Sequence, residues 1–335
     1  MNKLKIRKIL GGLKSYLPNQ ISYSSGVGGA NEALFCYLQS LKIMSLLKKN
    51  NLETNPQTII ELGPGNSIGT GIAGLIIGAK QYIGLDAVRH VVNNKEHMKI
   101  FDELVELFKK KHPIPGPDKY PKSYDTNEKV DDFPHDVLTE ERLSFCLNEN
   151  RINSLRKEIE LTKLNNNENH VGDSLINYIS PWQDSVDIQK ESADLIYSFG
   201  VLQSVDELES AYHVMYKWMK KNAVMIHSMD FRNLGLTQEW NGHWQYGDFT
   251  WKLIRGNRPY LINREPLSTH VNLLKKIGFT IVEIVKKNTF RSDEHIGSIE
   301  RKQLAPKFQN MSDEDFTTTS AIIIATKPNL TNFFT

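Results

Sequence analysis

Glu61, Gly63, Gly65, Ser67 and Asp86 are the residues whose types and spacing first suggest chemistry. Glycines at 63 and 65 let a backbone come close to a ligand where a Cβ would intrude. A helix starting just after them offers unpaired N–H groups. An acid ending the next strand suits the two hydroxyls of a ribose. The elements needed to position these residues are legible around them. Thr58, Ile59 and Ile60 form a β-branched run, a small-residue segment follows the glycines, and Tyr82-Ile83-Gly84-Leu85 is a second apolar run ending on Asp86. Together they read as strand, Gly-rich turn, helix and strand, one βαβ unit of a nucleotide-binding sheet.

The spacing narrows the ligand. A dinucleotide fingerprint needs a third glycine where this chain has Ile68, and no Gly-Lys-Ser/Thr follows as in a P-loop. Glu-x-Gly-x-Gly-x-Ser, from Glu61 to Ser67, instead resembles motif I of the class I S-adenosylmethionine-dependent methyltransferases. S-adenosylmethionine carries no phosphate but has a carboxylate, an ammonium and a sulfonium, so a basic clamp is unnecessary. The stretch SADLIYSFGVLQSVDELESAYHVMYKWMKKNAVMIHSMDF looks like the fourth strand, helix and fifth strand of the same class.

The resemblance implies an α/β, Rossmann-like fold: seven mostly parallel strands, helices on both faces, and the last strand antiparallel. It also implies S-adenosyl-L-methionine as cofactor, with Glu61, Gly63, Gly65, Ser67, Asp86, Ala87, Ser180, Trp182, Ser198 and Phe199 around it. In that role Trp182 stacks on the adenine, Ser180 or Asp184 bonds its exocyclic amine, and 198–200 meet the cofactor and acceptor. Many relatives carry Glu-His where this chain has Gln203-Ser204, so neither residue is assigned a catalytic role. A second departure is Lys220-Lys221-Asn222 in place of a Gly-containing turn before the fifth strand.

Length and composition set outer bounds. The chain has 335 residues, 39% of them hydrophobic and 24% charged, as in an ordinary globular protein with a sizeable core. A net charge of +2 gives no support to a nucleic-acid partner. Two cysteines, Cys36 and Cys146, make neither a disulfide framework nor a zinc site unaided, which points to a reducing, cytoplasmic compartment. No apolar run reaches the roughly 18 residues of a membrane span. Residues 1–14 carry Lys3, Lys5, Arg7, Lys8 and Lys14 without an acid. A solvated, frayed terminus is one reading of them; contact with an anionic membrane surface, at the inner face of the membrane, is the other.

The chain divides into a basic segment, loop and cap helix (1–54), a methyltransferase-like domain (55–327) and a tail (328–335). In the first part 24–29 is a Gly/Ser loop, and 30–50 is a helix with a stripe of Leu34, Leu38, Leu41, Met44 and Leu47. Two insertions interrupt the domain. The first, 87–170, holds helical patterns over 89–111 and 138–163 around a Pro-rich connector, and serves as a lid or as a buttress. The second, 231–278, contains Trp240, Asn241, Gly242, His243, Trp244, Tyr246, Asp248, Phe249 and Trp251, then Arg255, Arg258, Tyr260, Asn263, Arg264 and His270. Three of the five tryptophans fall within twelve residues there. Such a mixture describes either a polar, flat-walled acceptor pocket or a small satellite core. With a His-x-x-Asp-Phe end to the fifth strand and a Trp-Asn-Gly-His-Trp segment, it resembles a bacterial subgroup whose members look like tailoring enzymes of surface polysaccharide or lipid-linked glycan. Strands are expected at 174–179, 193–198, 223–230, 279–285 and 320–326.

Methyl transfer from a sulfonium is an in-line displacement, and a base is needed only when the acceptor must lose a proton. His227, Asp230 and His243 are the candidates, because they lie at or just past the end of the fifth strand. In a regular strand His227 and Asp230 face opposite sides, so they cooperate only if the strand ends or bulges between them. His90, His97, His112, His135, His170, His213 and His295 are scattered, and no cluster has metal-ligand spacing. The expected function is O-methylation of a small-molecule, sugar or lipid-linked glycan acceptor, with no nucleic acid as partner. Asn/Asp-Pro-Pro-Tyr/Phe, the signature of flipped-base methylation, is absent. The alternative is a catalytically inactive scaffold or regulatory protein of the same fold.

Overall fold

The computed structural model describes residues 3–17, 31–91, 94–116, 132–161, 171–172, 174–182, 187–233, 235–258, 261–288 and 297–329. The loop at 24–29, most of the Pro-rich connector, His170, Asp184, Tyr260, His295 and the end of the tail lie outside them.

Seven strands form one sheet: β1 (Thr58–Leu62), β2 (Gln81–Leu85), β3 (Ile176–Ile179), β4 (Ala193–Phe199), β5 (Met219–Asp230), β6 (Thr280–Lys287) and β7 (Ser320–Thr326). Their order is β3-β2-β1-β4-β5-β7-β6, with β7 antiparallel to both neighbours and the other pairings parallel. Central strands β1 and β7 are nearly continuous apolar runs because both their faces are covered. The edge strand β6 is half exposed.

Alternation along the strands divides the core in two. Ile59, Tyr197, Ile226 and Ile324 point to a face covered by α2 (Ala33–Lys49), α3 (Gly69–Ile76), α4 (Asn94–Lys109) and α6 (Glu149–Leu161). Ile60, Ile196, Met225 and Ile323 point to the other, covered by α7 (Leu208–Trp218) and α9 (Leu267–Ile277). The N-terminal α1 (Lys3–Lys14) packs instead on α8 (Asp248–Arg255).

Several sequence expectations change in detail. Helix α2 is buried almost all round, Gln39, Ser40 and Lys42 included, because α3 and α4 lie against it. The pattern over 138–163 splits into α5 (Glu140–Cys146) and α6. Thr139 caps the first through Arg142 N–H at 3.2 Å, and Asn148 Oδ1 accepts from Arg151 N–H at 3.0 Å to start the second. Residues Lys220–Asn222 are not a turn: β5 already begins at Met219. There Asn222 is left-handed, with φ 63°, and the β4 register slips between Ala193 and Leu195.

Nor is the basic segment frayed over its described residues, 3–17. A Cβ on Gly12 would come 1.9 Å from the Leu253 carbonyl, so only glycine lets α1 sit this close to α8. Ser15 Oγ then accepts from the Asn257 N–H at 2.6 Å.

Candidate active site

The turn after β1 has Gly63 at φ +64° and Gly65 at φ +73°, both in the region L side chains avoid. They differ in what surrounds them. A Cβ on Gly63 would meet Val201 at 2.4 Å, whereas a Cβ on Gly65 would have nothing within 4 Å. Gly63 therefore packs the turn onto the chain after β4, and Gly65 leaves open space above it. Asp86 reaches this point from the end of β2, and its Oδ2 accepts from the Gly65 N–H at 3.1 Å. Burial pushes the Asp86 pKa up, opposed by the charge of His90 and by N–H donors from Gly65, Val88 and Ala87.

Backbone bonds carry this edge on to the segment after β3. Asp86 N–H donates to Ile179 O at 3.0 Å, and Trp182 N–H donates to Asp86 O at 2.6 Å. Ser180 and Trp182 thus stand beside Asp86, on either side of a cis Ser180–Pro181 bond. Among the described residues Ser180 Oγ and Trp182 Nε1 are both buried without a hydrogen-bond partner. Trp182 leans on Trp218, with ring centroids 6.4 Å apart. Ala87 is exposed next to them.

Other residues of the motif face inward. Ser67 is buried, and its Oγ accepts from the Gly69 N–H at 3.0 Å at the start of α3. Glu61 lies on the α2–α3 face, where Tyr82 Oη donates to its carboxylate at 2.6 Å. Burial lifts its pKa to about 7, against hydrogen bonds from Tyr82 and Tyr197 that lower it. An acid whose folded pKa lies above its unfolded one keeps its proton in the folded state after the unfolded chain has lost it. Its contribution to stability therefore declines as pH rises from 4.5 to about 7 and stays lost above that. Glu61→Gln removes this slope. Urea titrations should find the variant gaining on the parent across that interval, by up to about 3 kcal/mol; parallel curves would mean the carboxyl titrates normally.

At the end of β4, Ser198 Oγ is 2.8 Å from His227 Nδ1, and both side chains are fully buried on the α7–α9 face. This contact occupies the Ser198 side chain, while Phe199 is half-buried on the opposite face and packs on Tyr197 at 5.7 Å. Behind His227, Tyr212 Oη lies 2.8 Å from His270 Nδ1. Burial drives His227 to a pKa of about 3, helped by the charge of His270, and drives His270 to about 4. Nε2 of each ring has no partner among the described residues.

The three catalytic candidates are not brought together. Strand β5 pairs with β7 without a slip from Val224 to Asp230, so His227 and Asp230 stay on opposite faces. Asp230 is held by Arg232, with Nη2 at 2.7 Å and Nε at 2.9 Å. His243 lies in a 3-10 turn, Gly242–Gln245, its ring 4.6 Å from that of Trp244. Burial and then the Arg264 charge lower its pKa to about 3, while a hydrogen bond with the Trp240 backbone opposes them.

The aromatic insertion makes two small cores instead of an open, flat-walled pocket. Trp240 and Trp244 pack with Ile299, Leu304 and Phe308, and Tyr246 and Trp251 pack with Leu236, Ile254 and Ile262. Arg264 joins them: it bonds Tyr246 O at 2.5 Å and Asp248 at 2.7 Å, and sits over Trp251 and Phe308 at 4.7 and 5.2 Å. Asn263 ties the insertion to the turn after β4, giving its Nδ2–H to Leu202 O at 2.9 Å and Val205 O at 2.7 Å. Its own N–H bonds Gln203 O at 2.6 Å. The sequence groups Asn263, Arg264 and His270 in the insertion without roles, and gives Tyr212 none. No local spacing marks any of these partnerships.

No family model and no curated protein matches the chain. Solved structures do. An S-adenosylmethionine-dependent methyltransferase from Mesorhizobium loti covers 86% of this chain and 99% of its own, at 12% identity and TM-score 0.40. Phosphoethanolamine N-methyltransferase 2 from Haemonchus contortus, solved with S-adenosyl-L-methionine, covers 94% of this chain and 60% of its own, at 13% identity and TM-score 0.44. The [4+2]-cyclase SpnF covers 86% of this chain and 80% of its own, at 10% identity and TM-score 0.40. At identities and TM-scores this low the likenesses carry no argument, and fold and function have to be read from this chain's own strands and residues. With seven strands in the order β3-β2-β1-β4-β5-β7-β6 and β7 alone reversed, the chain has the Rossmann-like fold that its resemblance to class I methyltransferases implied.

Proposed function

We propose that this chain is an S-adenosylmethionine-dependent methyltransferase that acts on a hydroxyl of a small molecule, a sugar or a lipid-linked glycan. One observation carries the reading. The Asp86 carboxylate stands at the Gly65 N–H, where the turn opens on its side-chain-free side, beside two buried polar atoms that lack partners among the described residues, Ser180 Oγ and Trp182 Nε1. The residues fit the cofactor: Asp86 for the ribose hydroxyls, the 63–65 turn for the amino-acid tail, Ser180 and Trp182 for the base, and Ala87 beside them. When bound, it supplies an electrophilic methyl group for in-line displacement.

The chain's own part is to align the acceptor and take up its proton. His227 and His243 are neutral at ordinary pH, the form that accepts a proton, and burial makes both weak bases. Alignment therefore carries most of the rate in this reading. Titration calorimetry with S-adenosylmethionine and its demethylated product tests the cofactor, and no heat with either removes the reading.

The inactive scaffold is favoured by the separation of His227, Asp230 and His243 and by the altered Gln203-Ser204 pair. Methyl transfer to a hydroxyl acceptor separates the two readings, since a scaffold transfers none. Within the enzyme reading His243→Ala should lose turnover by about 100-fold at unchanged cofactor affinity, and unaltered turnover takes His243 out of the site.

A further inference from the structure

Five large apolar side chains open to solvent fall between residues 6 and 17: Ile6, Leu10, Leu13, Tyr16 and Leu17, from 37% to 57% exposed. A sixth, Phe249, is 78% exposed on α8, the helix that α1 packs against. The burial pattern of α1 explains the stripe. Ile9, Gly12 and Ser15 turn toward α8, and Lys8 Nζ reaches the Gly235 carbonyl at 3.0 Å. Ile6, Leu10 and Leu13 recur at four and three residues on the other side, within about 60° of one another at 3.6 residues per turn. This apolar line belongs to no core cluster.

Its rim is basic. Arg7 and Lys14 are exposed on α1, Lys252 stands one turn beyond Phe249 on α8, and Arg258 lies at Gly11. Among the described residues none of these four cations has a carboxylate partner. Residues 1–14 contain no acid, and the nearby Asp248 is held by Arg264.

We propose that the α1–α8 face docks in the plane of an anionic lipid bilayer, with Leu10, Leu13 and Phe249 in the acyl boundary and the cations among the headgroups. An apolar line rimmed by uncompensated cations needs a counter-surface that is negative outside and apolar behind, which a bilayer supplies. A second copy of the chain is disfavoured, because a two-fold axis through this face would set Arg7 and Lys14 against the same cations. The docking itself does not depend on the methyltransferase reading.

Flotation of the full chain with phosphatidylcholine vesicles, with and without one third phosphatidylglycerol, tests it. Anionic vesicles should bind at least about tenfold more tightly than neutral ones, and added salt should weaken the difference. Leu10→Glu with Leu13→Glu should abolish binding at unchanged thermal midpoint and S-adenosylmethionine affinity. Leu161→Glu, at an exposed leucine on α6, should bind as the parent does. If the double variant fails to fold, Arg7→Glu with Lys14→Glu takes its place and should remove the anionic preference. Equal binding to both vesicles, binding retained by the variants, or a dimer in light scattering that the double variant dissociates would each overturn the proposal. Vesicle binding without cofactor binding would instead count against the methyltransferase reading alone.

Discussion

Asp86→Ala should weaken S-adenosylmethionine binding by about 100-fold or more, because each hydrogen bond to a charged acceptor contributes about 1.5–3 kcal/mol and a ribose offers two hydroxyls. Part of that gain is offset in the parent, where the carboxylate already accepts from the Gly65 N–H and must share itself with the ligand. Asp86→Asn keeps one acceptor oxygen and should fall between, at about a tenfold loss. Titration calorimetry reads both values directly. The folded chain should tolerate the change, since Asp86 sits at the end of β2 and its backbone bonds to Ile179 and Trp182 remain. Undiminished affinity in Asp86→Ala would remove the residue from the cofactor site, and with it the observation on which the proposed function rests.

Arg264→Leu should destabilise the fold by about 1–3 kcal/mol, the range expected when a buried acceptor, here the Tyr246 carbonyl, loses its donor. Its side chain is 4% exposed and its guanidinium serves four groups at once: Tyr246 O, Asp248, and the rings of Trp251 and Phe308. Those rings belong to different satellite cores, so the loss should loosen the two together. Tryptophan emission should shift to the red, since Trp240, Trp244 and Trp251 are now buried. Turnover should fall with stability while cofactor affinity holds, because Asp86 and the 63–65 turn lie on the main sheet. Arg264→Lys should recover little, as an ammonium does not stack between two aromatic rings as a planar guanidinium does. A change in unfolding free energy under about 0.5 kcal/mol would mean the cores do not depend on this link.

These predictions draw unequally on what the residues announce by their order. The βαβ unit, the acid placed 21 residues after Gly65, the helices at α2, α4 and α7, and β7 at Ser320–Thr326 were all legible beforehand. Each rests on local physics: period-two or period-3.6 apolarity, glycine where φ is positive, and an acid at a strand end. The start of β5 was not legible, because its first residues pair across an irregular register whose partner is supplied by β4. Composition alone left the tryptophan-rich segment open between an acceptor wall and a satellite core. The tertiary structure fills the rings with Ile299, Leu304 and Phe308, some sixty residues further on.

By itself, then, the sequence determined the fold class, the phosphate-free turn and the carboxylate beside it, because those follow from neighbours along the chain. Only the tertiary structure decided that His227 turns to Ser198 and away from Asp230, that Asn263 and Arg264 hold the insertion, and that α1 lies on α8 with its apolar side outward. Ser15 and Asn257 are 242 residues apart. The physical reason is that periodicity records which side chains must leave water, while which distant surface covers them depends on shape and on partners that no local pattern carries.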